Sequence, residues 1–333
     1  MSISTREISL SNFIIFLLSL IILFILFMLN QFSLNLSPVD TFKALTNLGG
    51  NFPPKFMYSM GTGEQKLKDP LDLDVSSDGR VYIADSGNFQ VKVFDTTGRY
   101  LFSFGSKGKN PGQFLAPVGI AVGAKSLYVA DSTSMRIQEF DLNGNYLKDV
   151  LTSAVLKKTG AIRPVGLALD LKGNLYLTDI FSQRVVELSP SGDVLLNIGR
   201  SGNQPGQFLY PNSIAVDNAG NIYVSDSNNT RIQVINPQGS VTQTYGPKQK
   251  LDVAFGLNRG VEVDRQNRLY VVDTFNNKIS VIQPDAEKPQ VLFSFGSQSD
   301  GPEKLNFPNA IAVYADKVLV ADKANNRVVV YSY

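Results

Sequence analysis

An all-β six-bladed β-propeller preceded by one N-terminal transmembrane helix is the fold class this sequence predicts, on three observations. A motif of about 47 residues is written six times between residues 55 and 333. Inside each copy Val, Ile, Leu, Tyr and Phe alternate with polar residues at period two, with turn residues between them; that pattern marks short antiparallel strands. Apolar sequence of helical length occurs once, near the N-terminus.

In chain order, residues 1–12 form a short cytoplasmic segment, and Phe13–Leu29 (FIIFLLSLIILFILFML) form the membrane helix. Ser19 is the one interruption in those seventeen residues. At 1.5 Å per residue the run is near the lower limit for crossing a hydrocarbon core ~30 Å thick. Leu10, Ser11 and Asn12 extend it. A cleaved signal peptide is the rival reading. The run is longer than a usual signal-peptide core, and the NQFSLNLSPVD that follows lacks the paired small residues a signal peptidase reads. Both features favour an uncleaved signal-anchor. Arg6 precedes the span and no Lys or Arg follows it before Lys43. The positive-inside bias therefore places the propeller on the extracytoplasmic side of a single-pass membrane protein. Residues 30–54, with Pro38, Gly49, Gly50, Pro53 and Pro54, are a linker that spans at most ~80 Å when extended.

The propeller occupies residues 55–333. Its copies align on an aspartate that closes the second strand: Asp85, Asp131, Asp179, Asp226, Asp273 and Asp322, spaced 46 to 49 residues apart. Copy four displays the unit as PNSIAVD, NIYVSD, RIQVINP and SVTQTYG, with turns at Asn218-Ala219-Gly220 and Gln238-Gly239. Four strands repeated radially make propeller blades. The sixth copy ends at Tyr333 after three strands, while FMYSMG at Phe56–Gly61 stands ahead of copy one. This strand is expected to complete the last blade. Closure of that kind removes the open sheet edges that invite aggregation.

The patterns P-x-G-I-A-V-D, G-N-x-Y-V-x-D and R-I-Q-V resemble the NHL repeat, most clearly at Pro164–Asp170 (PVGLALD), Pro211–Asp217 (PNSIAVD) and Asn221–Asp226 (NIYVSD). The resemblance covers residues 55–333 and implies a six-bladed ring. It does not select a function, because relatives of this type include receptor and kinase binding modules, RNA-binding modules, an amidating lyase and distant lactonase-type enzymes. Copy one departs most, with DPLDLDV at the first strand, and copy six has Tyr314 in place of the closing aspartate.

Composition narrows the chemistry. The chain has no His and no Cys, which excludes a Ser-His-Asp relay, His- or Cys-ligated zinc, thiol catalysis and disulfides. A net charge of +2 is no polycation. With the propeller outside the cytoplasm, nucleic acid is not the expected partner.

The repeated aspartates are expected to be structural. Five residues after them stand Gln90, Arg136, Arg184, Arg231, Lys278 and Arg327, and cross-strand pairs of this kind contribute roughly 0.2–1 kcal/mol each. Candidate sites lie where single copies break the pattern. On the innermost strands, small residues at two alternating positions (Gly119/Ala121, Gly166/Ala168, Ser213/Ala215, Ala310/Ala312) give way to Asp72/Asp74 in copy one and Gly260/Glu262 in copy five. Those three carboxylates are expected to line a wet central channel, where they offer oxygen ligands suited to calcium. Just ahead of these positions Leu71, Val118, Val165, Asn212, Arg259 and Asn309 form a rim that is apolar in three copies and polar in three. Asn212, Arg259 and Asn309 are the expected small-ligand contacts, with Arg259 meeting a carboxylate or phosphate.

The six loops that lead into the blades hold eleven Lys and Arg against five Asp and Glu, a net +6, while the rest of the propeller is net −4. Lys107, Lys109, Lys157 and Lys158 are the expected contacts for a large partner. The preferred reading is a membrane-anchored extracytoplasmic binding or scaffold module that recognises a protein, a peptide or an anionic envelope polymer. The alternative is a calcium-dependent, lactonase-like hydrolase with Asp72, Asp74 and Glu262 in the channel.

Overall fold

In the computed structural model of the protein, residues 52–247, 249, 251–284, 287–296 and 301–333 are described. The expected membrane helix at 13–29 and the linker up to residue 51 lie outside them. Among the described residues, no helix is long and apolar enough to cross a membrane.

The described chain forms six four-stranded antiparallel sheets. The innermost strands are Pro70–Val75, Pro117–Val122, Pro164–Leu169, Pro211–Val216, Asn258–Val263 and Pro308–Tyr314. Each packs against the innermost strand of the next sheet, and the sixth packs against the first, so the ring is closed. The outermost strands are Tyr100–Phe104, Tyr146–Asp149, Val194–Ile198, Val241–Tyr245 and Gln290–Phe295 in blades one to five. Blade six takes its outermost strand from Lys55–Met60, which pairs with Arg327–Ser332 in the register Met60↔Val328, Phe56↔Tyr331 and Lys55↔Ser332. The expected closure is therefore present.

Alternation along the strands produces six apolar cores, one between each pair of neighbouring sheets. Met60, supplied by the N-terminal strand, is buried with Leu73, Ile83, Leu319 and Val330 between blades six and one. Each loop entering a blade drops one apolar residue into such a core: Leu67, Phe114, Ile162, Phe208, Phe255 or Leu305, all buried. Room for four of these wedges, Leu67, Phe114, Phe208 and Leu305, comes from a glycine at the end of the preceding outer strand. A Cβ on Gly105 or Gly199 would lie 2.4 or 2.7 Å from the Phe114 or Phe208 ring, and both glycines have positive φ.

The repeated aspartates act differently from surface ion pairs. All six are fully buried, and each accepts the backbone N–H of the residue that follows the wedge. Lys68, Leu115, Arg163, Leu209, Gly256 and Asn306 donate to Asp85, Asp131, Asp179, Asp226, Asp273 and Asp322 at 2.6–3.0 Å. The expected cation five residues on closes the pair in three blades: Arg184–Asp179 at 2.9 Å, Arg231–Asp226 at 2.8 Å and Arg327–Asp322 at 2.7 Å. In blade one Lys92, not Gln90, reaches Asp85 at 3.2 Å. In blade two Arg136 donates instead to the Gln113 carbonyl at 3.1 Å, because Asp131 already accepts four backbone N–H groups.

One element was not expected. The connection from blade two to blade three holds a helix, Ser153–Thr159, N-capped by Thr152, with Val155 and Thr159 buried. Its seven residues are too few for an apolar period to stand out in the sequence.

Truncating Met60 to Ala leaves a void in the closing blade. Stability should fall by about 2–5 kcal/mol, and denaturant unfolding should remain a single transition if the ring is one cooperative unit. Replacing Asp226 with Ala strips partners from Leu209 N–H and from the buried Arg231. The expected loss is about 3–5 kcal/mol, read from the same denaturation curves.

Candidate functional site

Each blade is a four-stranded meander, so its turns alternate between two faces. The loops that enter the blades and the loops that follow the buried aspartates share one face, and hydrogen bonds such as Arg163 N–H to Asp179 tie them together there. This loop face surrounds the mouth of the central channel.

The six rim residues expected from the sequence do converge: Leu71, Val118, Val165, Asn212, Arg259 and Asn309 line one opening of about 20 Å³. Two of the three polar ones are engaged internally. Asn212 donates to Ser227 Oγ at 3.1 Å. Asn309 Nδ2 donates to the Leu71 carbonyl at 2.5 Å, bridging blades six and one, and its Oδ1 accepts from Arg259 at 3.2 Å. Arg259 is different. Its Nε is buried with no hydrogen-bond partner, and burial pushes its pKa down, opposed by the nearby Tyr210 phenol. An opening of this size admits a water or the tip of one side chain and cannot enclose a free ligand.

Below the rim a cavity of about 220 Å³ is lined by Asp72, Asp74, Ser213 and Glu262 among apolar strand residues. At most inner contacts a small residue lets backbones touch; a Cβ on Gly119 would sit 1.9 Å from the Val165 carbonyl oxygen. Blade one uses carboxylates for the same task. Asp72 accepts from Leu73 N–H at 3.0 Å and from Ile120 N–H of blade two at 2.8 Å. Asp74 accepts from Val75 N–H and from Val122 N–H of blade two, each at 2.7 Å. These contacts account for the break in copy one without a bound ligand. Among the described residues no three His, Cys, Asp or Glu side chains gather closely enough to hold a metal ion. Asp72, Asp74 and Glu262 thus do not make the expected calcium ligand set.

These carboxyls are partly exposed to the cavity and otherwise surrounded by inner-strand residues. Burial pushes Asp72 up to about 8, against the pull of its two backbone N–H donors, and Asp74 up to about 6. Burial and then the charges of Asp74 and Asp72 raise Glu262 as well.

Of the loop lysines, Lys107 and Lys109 are exposed on the loop face, and the Lys107 ammonium lies 4.9 Å from the Phe89 ring centroid. Lys157 and Lys158 depart from expectation because they ride on the Ser153–Thr159 helix. Lys158 leans to Asp193 at 3.8 Å, in a turn of the opposite face. The lysines therefore do not form one continuous rim. Sequence reasoning also missed a group of large apolar side chains. Met135, Phe181, Tyr210, Phe275 and Phe307 are exposed on the loop face, against Leu171 and Tyr333 on the opposite one. The signal was present in the repeat alignment, as aromatic residues where other copies place small or polar ones.

The comparisons follow this architecture. Residues 62–156 match a family described as 6-bladed beta-propeller, and the chain is a six-bladed β-propeller. Residues 208–235, in blade four, match the NHL repeat. Protein brain tumor of Drosophila melanogaster is 26% identical over 144 residues, which is 42% of this chain and 13% of that protein. The chain thus spans a small part of the curated relative it matches. Virginiamycin B lyase from Staphylococcus aureus is 15% identical, with 83% of this chain and 87% of that one superposed at a TM-score of 0.55. A nidogen/laminin complex chain is 18% identical, with 68% and 80% covered at a TM-score of 0.53. At these identities the likeness is one of fold.

The channel carboxyls make stability depend on pH. Unfolded, they titrate near 4, so between about pH 4 and pH 8 the folded chain retains protons that the unfolded chain has released. Stability should fall as pH rises across that window and level off above it. The melting temperature of Asp72→Asn should depend less on pH between about 6 and 8 than that of the parent; parallel curves would exclude Asp72 as the source.

Proposed function

We propose that this chain is a protein-binding scaffold whose propeller engages a protein, peptide or anionic envelope ligand through the loop face, displayed outside the cytoplasm by a signal-anchor helix at residues 13–29. The observation that carries the reading is the asymmetry of the two faces. On the loop face the exposed Lys107 and Lys109 accompany Met135, Phe181, Tyr210, Phe275 and Phe307, most of the large exposed apolar side chains of the turns. Exposed aromatic side chains beside cationic ones are what partner-binding surfaces are enriched in. The narrow rim opening argues for a partner that lies across the face, not a small molecule swallowed by the channel. Relatives with this architecture include a chain of a nidogen/laminin complex, which supports a protein partner by analogy of fold alone.

A photocrosslinker placed at Lys109 in the full chain, in intact membranes, should capture a discrete partner, and one at Leu171 on the opposite face should not. The double change Lys107→Glu and Lys109→Glu, with a crosslinker at Asn228 on the same face, should lower capture by about fivefold or more at low ionic strength. Equal capture from both faces, or capture indifferent to the charge reversal, would overturn the assignment. Protease added outside sealed vesicles or cells should cut the propeller; full protection would overturn the topology.

A further inference from the structure

Two of the six blade junctions carry a feature that the other four lack. Two residues after the buried aspartate stand Phe181 in blade three and Phe275 in blade five, where the remaining copies have Gly87, Thr133, Asn228 and Ala324. Just ahead of the next inner strand stand Tyr210 and Phe307 at these same junctions, where the others have Asp69, Ala116, Arg163 and Leu257. All four aromatic side chains are exposed despite their size: Phe181 at 65%, Phe275 at 57%, Phe307 at 45% and Tyr210 at 43%. Phe275 and Phe307 meet edge to face, with centroids 5.6 Å apart.

The backbone beneath them is constrained. Tyr210 and Phe307 have φ of 58° and 50°, a region that bulky residues enter only under local strain. Each is locked from the preceding blade, Tyr210 N–H by Gln183 Oε1 at 2.5 Å and Phe307 N–H by Asn277 Oδ1 at 2.8 Å. Asp69 is held the same way by Asn326 at 2.8 Å, so the lock itself does not demand an aromatic residue. The aromatics at these two junctions are an addition to a structural device that works without them. Inward of them lies the polar half of the rim, where the partly buried Arg259 has only Asn309 as a hydrogen-bond partner, an unpartnered Nε and, among the described residues, no carboxylate paired to it.

We propose that blades three to six form a binding surface for an acidic peptide segment bearing large apolar side chains. The apolar side chains seat at the Phe181–Tyr210 and Phe275–Phe307 junctions, and one carboxylate of the segment reaches Arg259. The inference rests on the loop-face reading above and narrows its occupant. Arg259, with no carboxylate paired to it among the described residues, selects a segment that carries an acidic group. The size of the rim opening requires that the carboxylate arrive as the tip of a side chain or a chain terminus. The edge-to-face arrangement of Phe275 and Phe307 offers no flat stacking platform for a base or a sugar ring.

The test uses the full chain in detergent and three labelled probes: a random copolymer of glutamate and tyrosine, polyglutamate, and polyuridylate, with binding read by fluorescence anisotropy. The copolymer should bind about tenfold tighter than polyglutamate. The double variant Phe181→Ser and Phe275→Ser, exposed positions whose loss leaves the cores intact, should remove that advantage. Arg259→Gln should weaken the copolymer about tenfold, and Arg259→Lys should restore part of the loss, with equal melting temperatures as the folding control. Leu171→Ser on the opposite face should change nothing. Equal affinity for copolymer and polyglutamate, copolymer binding indifferent to the Phe pair, or tighter binding of polyuridylate would each overturn the proposal. If Lys107→Glu with Lys109→Glu abolishes partner crosslinking while the Phe variants bind the copolymer normally, the loop-face reading stands and this narrower one falls.

Discussion

The structure depends on a buried carboxylate that accepts a backbone N–H from the loop entering its own blade. That loop arrives from the outer strand of the previous blade, crosses the loop face and must bend sharply into the centre of the ring. Its backbone donors would be stranded there, and a buried unpaired donor costs about 1–3 kcal/mol. One aspartate per blade meets that need and simultaneously fixes the short loop after the second strand. The apolar wedge one residue earlier sits in the core between the sheets, so hydrophobic contact and hydrogen bond locate the same bend. Loop face, rim and channel mouth take their positions from six repetitions of this joint.

Around the axis, the inner strands meet by more than one means. Glycine and alanine allow direct backbone contact, Ser213 accepts the Val261 N–H at 3.2 Å, and Asp72 and Asp74 extend from blade one to the amides of blade two. The carboxylates therefore join neighbouring sheets before they serve any solute in the channel. Such a ring tolerates acidic residues at its centre because edge amides need acceptors there, and the tolerance makes its stability sensitive to proton concentration.

Much of the architecture was legible in the residues. Spacing of the six aspartates defined the blades, and the three-strand final copy with Phe56–Gly61 upstream defined the closure. The rim residues Leu71 to Asn309 were also placed correctly, because inner strands start at equivalent positions in every copy. What escaped was set by three-dimensional surroundings. Charge at Asp72 and Asp74 pointed to a wet channel with calcium ligands, since no sequence pattern records which backbone amides lie unpaired across a junction. Lys157 and Lys158 were assigned to the loop face, but the Ser153–Thr159 helix turns Lys158 toward Asp193. Phe181 and Phe275 stand out only when the loops after the aspartates are aligned, and their exposure is set by the fold.

Closure through Lys55–Met60 also shapes how the protein is made. The strand leaves the ribosome before any blade exists, yet its partner, Arg327–Ser332, is synthesised only after the other five sheets. Five sheets can assemble in order while this ribbon waits unpaired, and the final contact spans nearly the whole domain, the kind of distant pairing that folds slowly. Nascent and truncated chains share one weakness, an unjoined seam with sticky borders on both sides, so the molecule has most need of a chaperone until Arg327–Ser332 reaches its partner.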